Sequence, residues 1–297
     1  MVPLPLADGE GRRRFVPPRL APYIWPMRDA IEAELRAVGQ APEDRIDIAR
    51  AALALAVLDR LGTERKRYLD HLDELAADVA LQKPEGLADA CAALARTMAE
   101  THGYAGDQAT YDDMQNANLM RVIDRKKGLP VALGILYLHA GRAQGWRLTG
   151  LNFPGHFLIR LEHGAGRAIL DPFSGGRVVS TAELRQLAKQ AAGSDTLEPQ
   201  FTEPTPDRDV LLRLLNNIKS RALHQEEPER AAEILHRMTL IAPTRGVLWG
   251  ELGLVDSARG NLGSAIQCLT RWRELAQSDG ERHRAALALQ QARSRLN

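Results

Sequence analysis

The chain has 297 residues and carries 39 Lys+Arg against 38 Asp+Glu, a formal net charge of +1. That balance excludes a nucleic-acid footprint at whole-chain level, and no run approaches the roughly 18 consecutive apolar residues of a membrane span. Hydrophobic residues at 44% and charged residues at 26% suit buried cores under a polar surface, and the length suggests two domains.

Residues 1–26 contain prolines at 3, 5, 17, 18, 22 and 26, which predicts an extended arm. The opening Met1-Val2-Pro3-Leu4-Pro5 lacks the basic-then-apolar layout of a secretory signal. Cys91 and Cys268 stand far apart and match neither a disulfide scaffold nor a metal-ligand spacing. A cytoplasmic protein without metal or cofactor is the expectation, with both thiols as small core residues.

From Met27 the pattern turns helical. Ile46, Ala49, Leu53, Val57 and Leu61 form one stripe, and Leu69, Leu72, Leu75 and Val79 form a second. A third helix follows Pro84 and runs through Leu94 and Met98. After the break at Gly103 and Gly106, a polar loop leads to a short helix over Leu119–Asp124. The segment Leu129–Gln144 predicts a buried helix, with Pro130 in its first turn and Gly145 ending it. The period then becomes two. Strands are expected over Leu148–Phe153, His156–Leu161 and Arg167–Leu170, with the last two joined by a turn at Glu162–Gly166. Ser180-Thr181-Ala182-Glu183 reads as a capping box opening a helix to about Ala191.

Pro199, Pro204 and Pro206 make 193–208 the linker candidate. Beyond it the pattern is helical and repeats. Ala231-Ala232-Glu233-Ile234-Leu235 aligns with Ala265-Ile266-Gln267-Cys268-Leu269, a shift of 265 − 231 = 34 residues and the tetratricopeptide period. Trp249, Leu252 and Gly253 stand at the spacing of that motif's first helix, while Asp256 occupies a place usually aromatic. The expected organisation is an arm (1–26), an α+β domain with a helical lead-in (27–192), a linker (193–208) and an all-α hairpin array (209–297).

The motifs concentrate between Tyr111 and Gly176. Asn118-Leu119-Met120-Arg121 and Lys127-Gly128-Leu129-Pro130 precede the buried helix; Pro154-Gly155-His156-Phe157 and Leu170-Asp171-Pro172-Phe173 follow it. In this order they resemble the SirB-type branch of the transglutaminase-like superfamily, whose members often carry a tetratricopeptide region downstream. The resemblance implies a papain-like arrangement. In active relatives a cysteine starts the buried helix, a histidine opens one strand and an aspartate ends the next. The helix N-terminus favours the thiolate, the imidazole moves the proton and the carboxylate orients the imidazole. His156 matches the histidine and Asp171 the aspartate, but Pro130 stands where the cysteine belongs. A hairpin centred near Gly164 predicts His156 opposite Pro172 and beside Asp171; a one-residue change of register would set the two directly opposite.

Asn118, Arg121, Gly128, Pro130 and Arg160 complete the candidate binding set. Asn118 and Arg121 are expected to brace the loop before the buried helix, and Arg160 to pair with an acid. Without a nucleophile, the reading is a degenerate transglutaminase-like scaffold that binds an unidentified protein or peptide through its cleft and its helical array. The alternative is a hydrolase or acyl-transfer enzyme that dispenses with cysteine and uses the His156–Asp171 pair.

Overall fold

The structure is a computed structural model and describes residues 5–7, 13–15, 21–192 and 197–296. The chain divides into two compact units, Glu43–Leu214 and a second made of Met1–Pro42 with Leu215–Asn297. In chain order the helices are α1 (Ala21–Gln40), α2 (Ile48–Val57), α3 (Lys66–Leu81), α4 (Leu87–Ala95), α5 (Leu119–Arg125), α6 (Pro130–Arg142), α7 (Thr181–Ala192), α8 (Asp207–His224), α9 (Pro228–Ile241), α10 (Gly246–Ala258), α11 (Leu262–Leu275) and α12 (Asp279–Leu296). The strands are β1 (Pro5–Ala7), β2 (Arg13–Phe15), β3 (Ala105–Gly106), β4 (Lys127–Gly128), β5 (Arg147–Leu151), β6 (Leu158–His163), β7 (Gly166–Asp171), β8 (Arg177–Val178) and β9 (Pro204–Thr205).

The Glu43–Leu214 unit is α+β. Its five-stranded sheet runs β8-β7-β6-β5-β9, antiparallel throughout, and a parallel β3-β4 bridge lies apart from it. Helix α6 crosses the sheet. Its residues Val131–Leu138 are buried without a polar gap, the composition of a helix covered all round. Gly134 makes the close approach possible, since a Cβ there would stand 2.4 Å from the Phe157 ring. Helices α2 and α3 pack on α6, and α4 packs on β6 and β7. Away from α6, Leu151, Phe153, Leu158, Val179, Leu184, Ala188 and Phe201 form a further apolar cluster. Ser180 and Glu183 make the reciprocal capping bonds at the start of α7, 2.8 Å and 3.2 Å.

Several elements depart from the expectation. The arm over 1–26 lies largely outside the described residues, but its end is helical, because α1 starts at Ala21 and holds Pro26 inside. Pro22 falls in the first turn, where a missing N–H has no partner to lose. The strand expected from His156 begins only at Leu158, because Pro154 and Gly155 form a turn with Gly155 at φ +69°. The Glu162–Gly166 turn contracts to Gly164-Ala165: Glu162 pairs with Arg167 and His163 with Gly166, and Gly164 takes φ +59°.

The linker reading also fails in part. Residues 193–196 lie outside the described residues, but Pro204 pairs with Leu151 and Thr205 with Gly150, so this stretch closes one edge of the sheet. A proline is tolerated there because an edge strand needs no outward donor.

The second unit is helical among its residues from Ala21 onward. Helix α1 packs on α9, closely enough that a Cβ on Gly39 would meet the Leu240 carbonyl at 2.1 Å. Helices α10, α11 and α12 stack in succession, with Leu269, Trp272, Ala285, Leu289 and Ala292 buried between α11 and α12. Asp256, buried where an aromatic was expected, accepts from Arg259 (2.9 Å) and from the Ser264 hydroxyl (2.6 Å), which satisfies its carboxylate.

Candidate functional site

The candidate site is built at the N-terminus of α6. Pro130 occupies the first turn, where its absent N–H forfeits nothing. Bonds to the loop before α5 hold Gly128 and Leu129 in place. Asp107 N–H donates to the Gly128 carbonyl (3.2 Å) and Leu129 N–H to the Asn116 carbonyl (2.9 Å). Arg125 ties the loop together from the other side, donating to Asp107 and Asn116, both at 2.8 Å. Bonds from the Thr110 hydroxyl and backbone, then from Arg125, hold the Asp107 carboxyl down at about 2.

Asn118 is a cap: its side-chain oxygen accepts from Arg121 N–H (3.1 Å), and its amide donates to the Ala56 carbonyl (3.1 Å). It is buried and braces α5 against α2, while the Arg121 side chain is half-exposed. Gly128 is required by packing, since a Cβ would come within 2.8 Å of Val122.

His156 sits in the turn before β6. Its ring lies 6.4 Å from that of Phe153, edge-on, and its carbonyl accepts from Arg213 at 2.6 Å. Arg213 also reaches the Asn152 side chain (3.2 Å) and stacks over Phe157 at 5.5 Å. Burial pushes this guanidinium below its ordinary value. Asp171 ends β7 and closes its own turn. One carboxylate oxygen accepts the N–H groups of Phe173 (3.0 Å) and Ser174 (3.3 Å), and the other accepts the Ser174 hydroxyl (2.7 Å).

Among the described residues no hydrogen bond joins the His156 ring to Asp171. The β6–β7 ladder pairs Ile159 with Leu170, so its continuation sets Leu158 opposite Asp171 and His156 opposite Phe173. The expected pairing of His156 with Pro172 is therefore one residue out.

Two aromatic residues complete the site and were not singled out from the sequence. Tyr111 meets Phe173 edge-on at 5.9 Å. Tyr137, inside α6, is buried, and among the described residues its hydroxyl has no hydrogen-bond partner; it lies beneath the turn at Gly176, where a Cβ would stand 2.6 Å from that oxygen. Burial, then the Asp171 charge, raises the phenol. In the sequence Tyr137 is one apolar-compatible residue of a buried helix, so only the turn above it marks it out.

Arg160 lies elsewhere. Alternation along β6 directs Ile159 toward α6 and Arg160 to the other face. Arg160 pairs with Glu162 (2.9 Å) and donates to the Thr202 carbonyl (3.1 Å). It lines a cavity of about 810 Å³ together with Leu87, Cys91, Ile169 and Val178. Burial raises the thiols of both Cys91 and Cys268. Cys91 thus belongs to the α4 side of the sheet and not to the start of α6.

A buried helix across a small antiparallel sheet, a histidine in the turn before one strand and an aspartate at the end of the next define a transglutaminase-like α+β protein. The chain belongs to this group: the model of the transglutaminase-like superfamily matches residues 66–216. A UPF0162 protein of Xylella fastidiosa is 32% identical over 188 residues, covering 62% of this chain and 67% of that protein. A UPF0162 protein of Vibrio cholerae is 35% identical over 136 residues, 45% of this chain and 50% of the relative. Among solved structures, one of menin that reveals the binding site for Mixed Lineage Leukemia protein aligns with a TM-score of 0.39 at 10% identity, over 87% of this chain and 73% of that one. Among the described residues no helix is long and apolar enough to cross a membrane.

Proposed function

We propose that the protein is a non-catalytic, SirB-type member of the superfamily that binds a protein or peptide partner through its degenerate cleft and a tetratricopeptide array. One observation supports the non-catalytic reading: among the described residues the Asp171 carboxylate makes its hydrogen bonds within its own turn, to Phe173 and Ser174. A carboxylate spent in this way does not orient an imidazole. Pro130 at the helix start adds that no nucleophile is supplied there.

The helical array rests on the 34-residue repeat, whose two copies fall on α9 and α11. Gly253 supports it, because only a missing Cβ lets α10 approach Leu269, which it would otherwise meet at 2.7 Å. Val247 and Leu254 are half-exposed, two turns apart on α10, and offer an apolar stripe to a partner.

The test is a pull-down with the full chain as wild type, His156→Ala and the double variant Val247→Asp/Leu254→Asp, beside an assay for ammonia released from peptide glutamine. A partner captured by wild type and lost with either variant is the expected result, with no His156-dependent ammonia release. His156-dependent turnover would overturn the reading in favour of cysteine-independent catalysis.

A further inference from the structure

A second cluster of reactive side chains lies on residues that the cleft does not use. His71 and Glu74 stand one turn apart on α3 and so project from the same side. His102 joins them from a distant point in the chain. It follows a π-helical turn over Arg96–Thr101, closed by a bond from His102 N–H to the Thr97 carbonyl at 3.0 Å. Such wide turns recur at functional positions, where they redirect a side chain. The rings of His71 and His102 lie 5.2 Å apart at 74°, and one donor atom from each of His71, Glu74 and His102 falls within 4.8 Å of the others.

The surroundings are arranged as an outer shell. Nε2 of His71 lies 2.8 Å from the Tyr104 hydroxyl, and Nε2 of His102 lies 2.7 Å from an Asp78 carboxylate oxygen. Each bond fixes the orientation of its ring through Nε2, as outer partners do for metal-bound histidines, and the bond at His71 turns its Nδ1 toward Glu74. Both imidazoles are nearly buried, with side chains 13% and 10% exposed, while Glu74 at 57% keeps the cluster open to solvent. His71 Nδ1 lies 2.7 Å from a Glu74 oxygen, a hydrogen-bond distance. Tetrahedral ligands at about 2.0–2.1 Å from an ion are separated by about 3.3 Å, so the exposed Glu74 needs to withdraw by about half an ångström.

We propose that His71, Glu74 and His102 form a site for a divalent transition-metal ion, Zn2+ foremost, with Tyr104 and Asp78 orienting the two histidines. Two imidazoles and a carboxylate are a donor set that Zn2+ accepts, and three protein ligands leave a fourth position to water. Lys126 tunes the site. Its ammonium lies 3.2 Å from His71 Nε2 and 3.3 Å from the Tyr104 hydroxyl, over the Tyr104 ring at 4.5 Å. A positive charge at that range opposes a bound cation, so the lysine weakens an otherwise complete site. The inference does not depend on the partner-binding reading given above.

The test is titration of the chelator-treated full chain with ZnCl2 by calorimetry, and with CoCl2 by visible absorption. One equivalent of Zn2+ and a cobalt d–d band of low-symmetry geometry are expected. The double variant His71→Gln/His102→Gln, checked by circular dichroism for an intact helical spectrum, should lose both. Asp78→Asn and Tyr104→Phe should each weaken binding by about 10–100-fold, the range for outer partners. Lys126→Gln, which removes a charge and no ligand, should bind Zn2+ more tightly than wild type. Absence of stoichiometric binding by wild type, or binding that survives the double variant, would overturn the proposal. So would a Lys126→Gln affinity no higher than that of wild type.

Discussion

Replacing Asp171 tests whether this carboxylate serves its own turn or a partner imidazole. In the structure it accepts two backbone N–H groups and one hydroxyl, all from Phe173 and Ser174. Loss of a side-chain cap of this type costs about 0.5–2 kcal/mol, and three bonds through one carboxylate put Asp171→Ala near about 2 kcal/mol. Asp171→Asn keeps one acceptor oxygen for the two N–H groups and should lose about half of that. Ser174→Ala removes a single hydroxyl bond and should cost about 0.5–1 kcal/mol. With a urea slope of roughly 2 kcal/mol per molar, Asp171→Ala lowers the unfolding midpoint by about 1 M. Urea titration of the three variants gives the order, and amide exchange at Phe173 and Ser174 should accelerate in Asp171→Ala and stay slow in Asp171→Asn. If all three variants keep wild-type midpoints and exchange while an enzymatic activity shared with His156 disappears, the reasoning fails and the aspartate is a catalytic partner.

Other outcomes follow from neighbouring contacts. Cys91, its thiol raised by burial, should react slowly with a thiol-directed acylating probe, at a rate unchanged in His156→Ala; mass spectrometry of the adduct checks this. Gly134→Val drives a side chain into Phe157 and should destabilise by about 1–3 kcal/mol in the same urea assay. Asp107 has its folded value depressed from 3.8 to about 2, so its contribution to stability is complete above the ordinary value and is lost as pH falls toward 2. Wild type should therefore lose stability across that window more steeply than Asp107→Asn, measured by acid titration of the unfolding midpoint.

What the sequence disclosed depended on the range of the signal. The buried helix was legible because its apolar run is local and its limits are marked: Pro130 opens it, and Gly145 follows it at φ +76°. The capping box at Ser180 was equally local. The His156 strand was misjudged because alternation continues through Phe157, while the turn made by Pro154 and Gly155 takes His156 off the ladder. One residue of register then followed from a hairpin turn shorter than expected. Prolines at 199, 204 and 206 suggested a linker, since sequence does not reveal that Pro204 lies at an edge. Ligand spacing along the chain has no means of bringing His102 to His71, a meeting that depends on the wide turn after α4. Arg160 stands with the cleft residues in the sequence because it lies between His156 and Asp171, yet strand alternation directs it to the opposite face of the sheet.

The late strand β9 has a consequence for how this domain is made and cut. β5 keeps one edge for Pro204-Thr205, residues that follow α7 and a further stretch of chain. A ribosome that has released the polypeptide only through Ala192 has delivered α6 and four of the five strands of the sheet, but the outer edge of β5 still presents unpaired N–H and C=O groups. An unpaired edge accepts any extended segment, including the same edge of another nascent copy. An excised domain therefore has to run past Thr205 into α8, and a fragment ended at residue 192 should associate through β5 where the longer one does not.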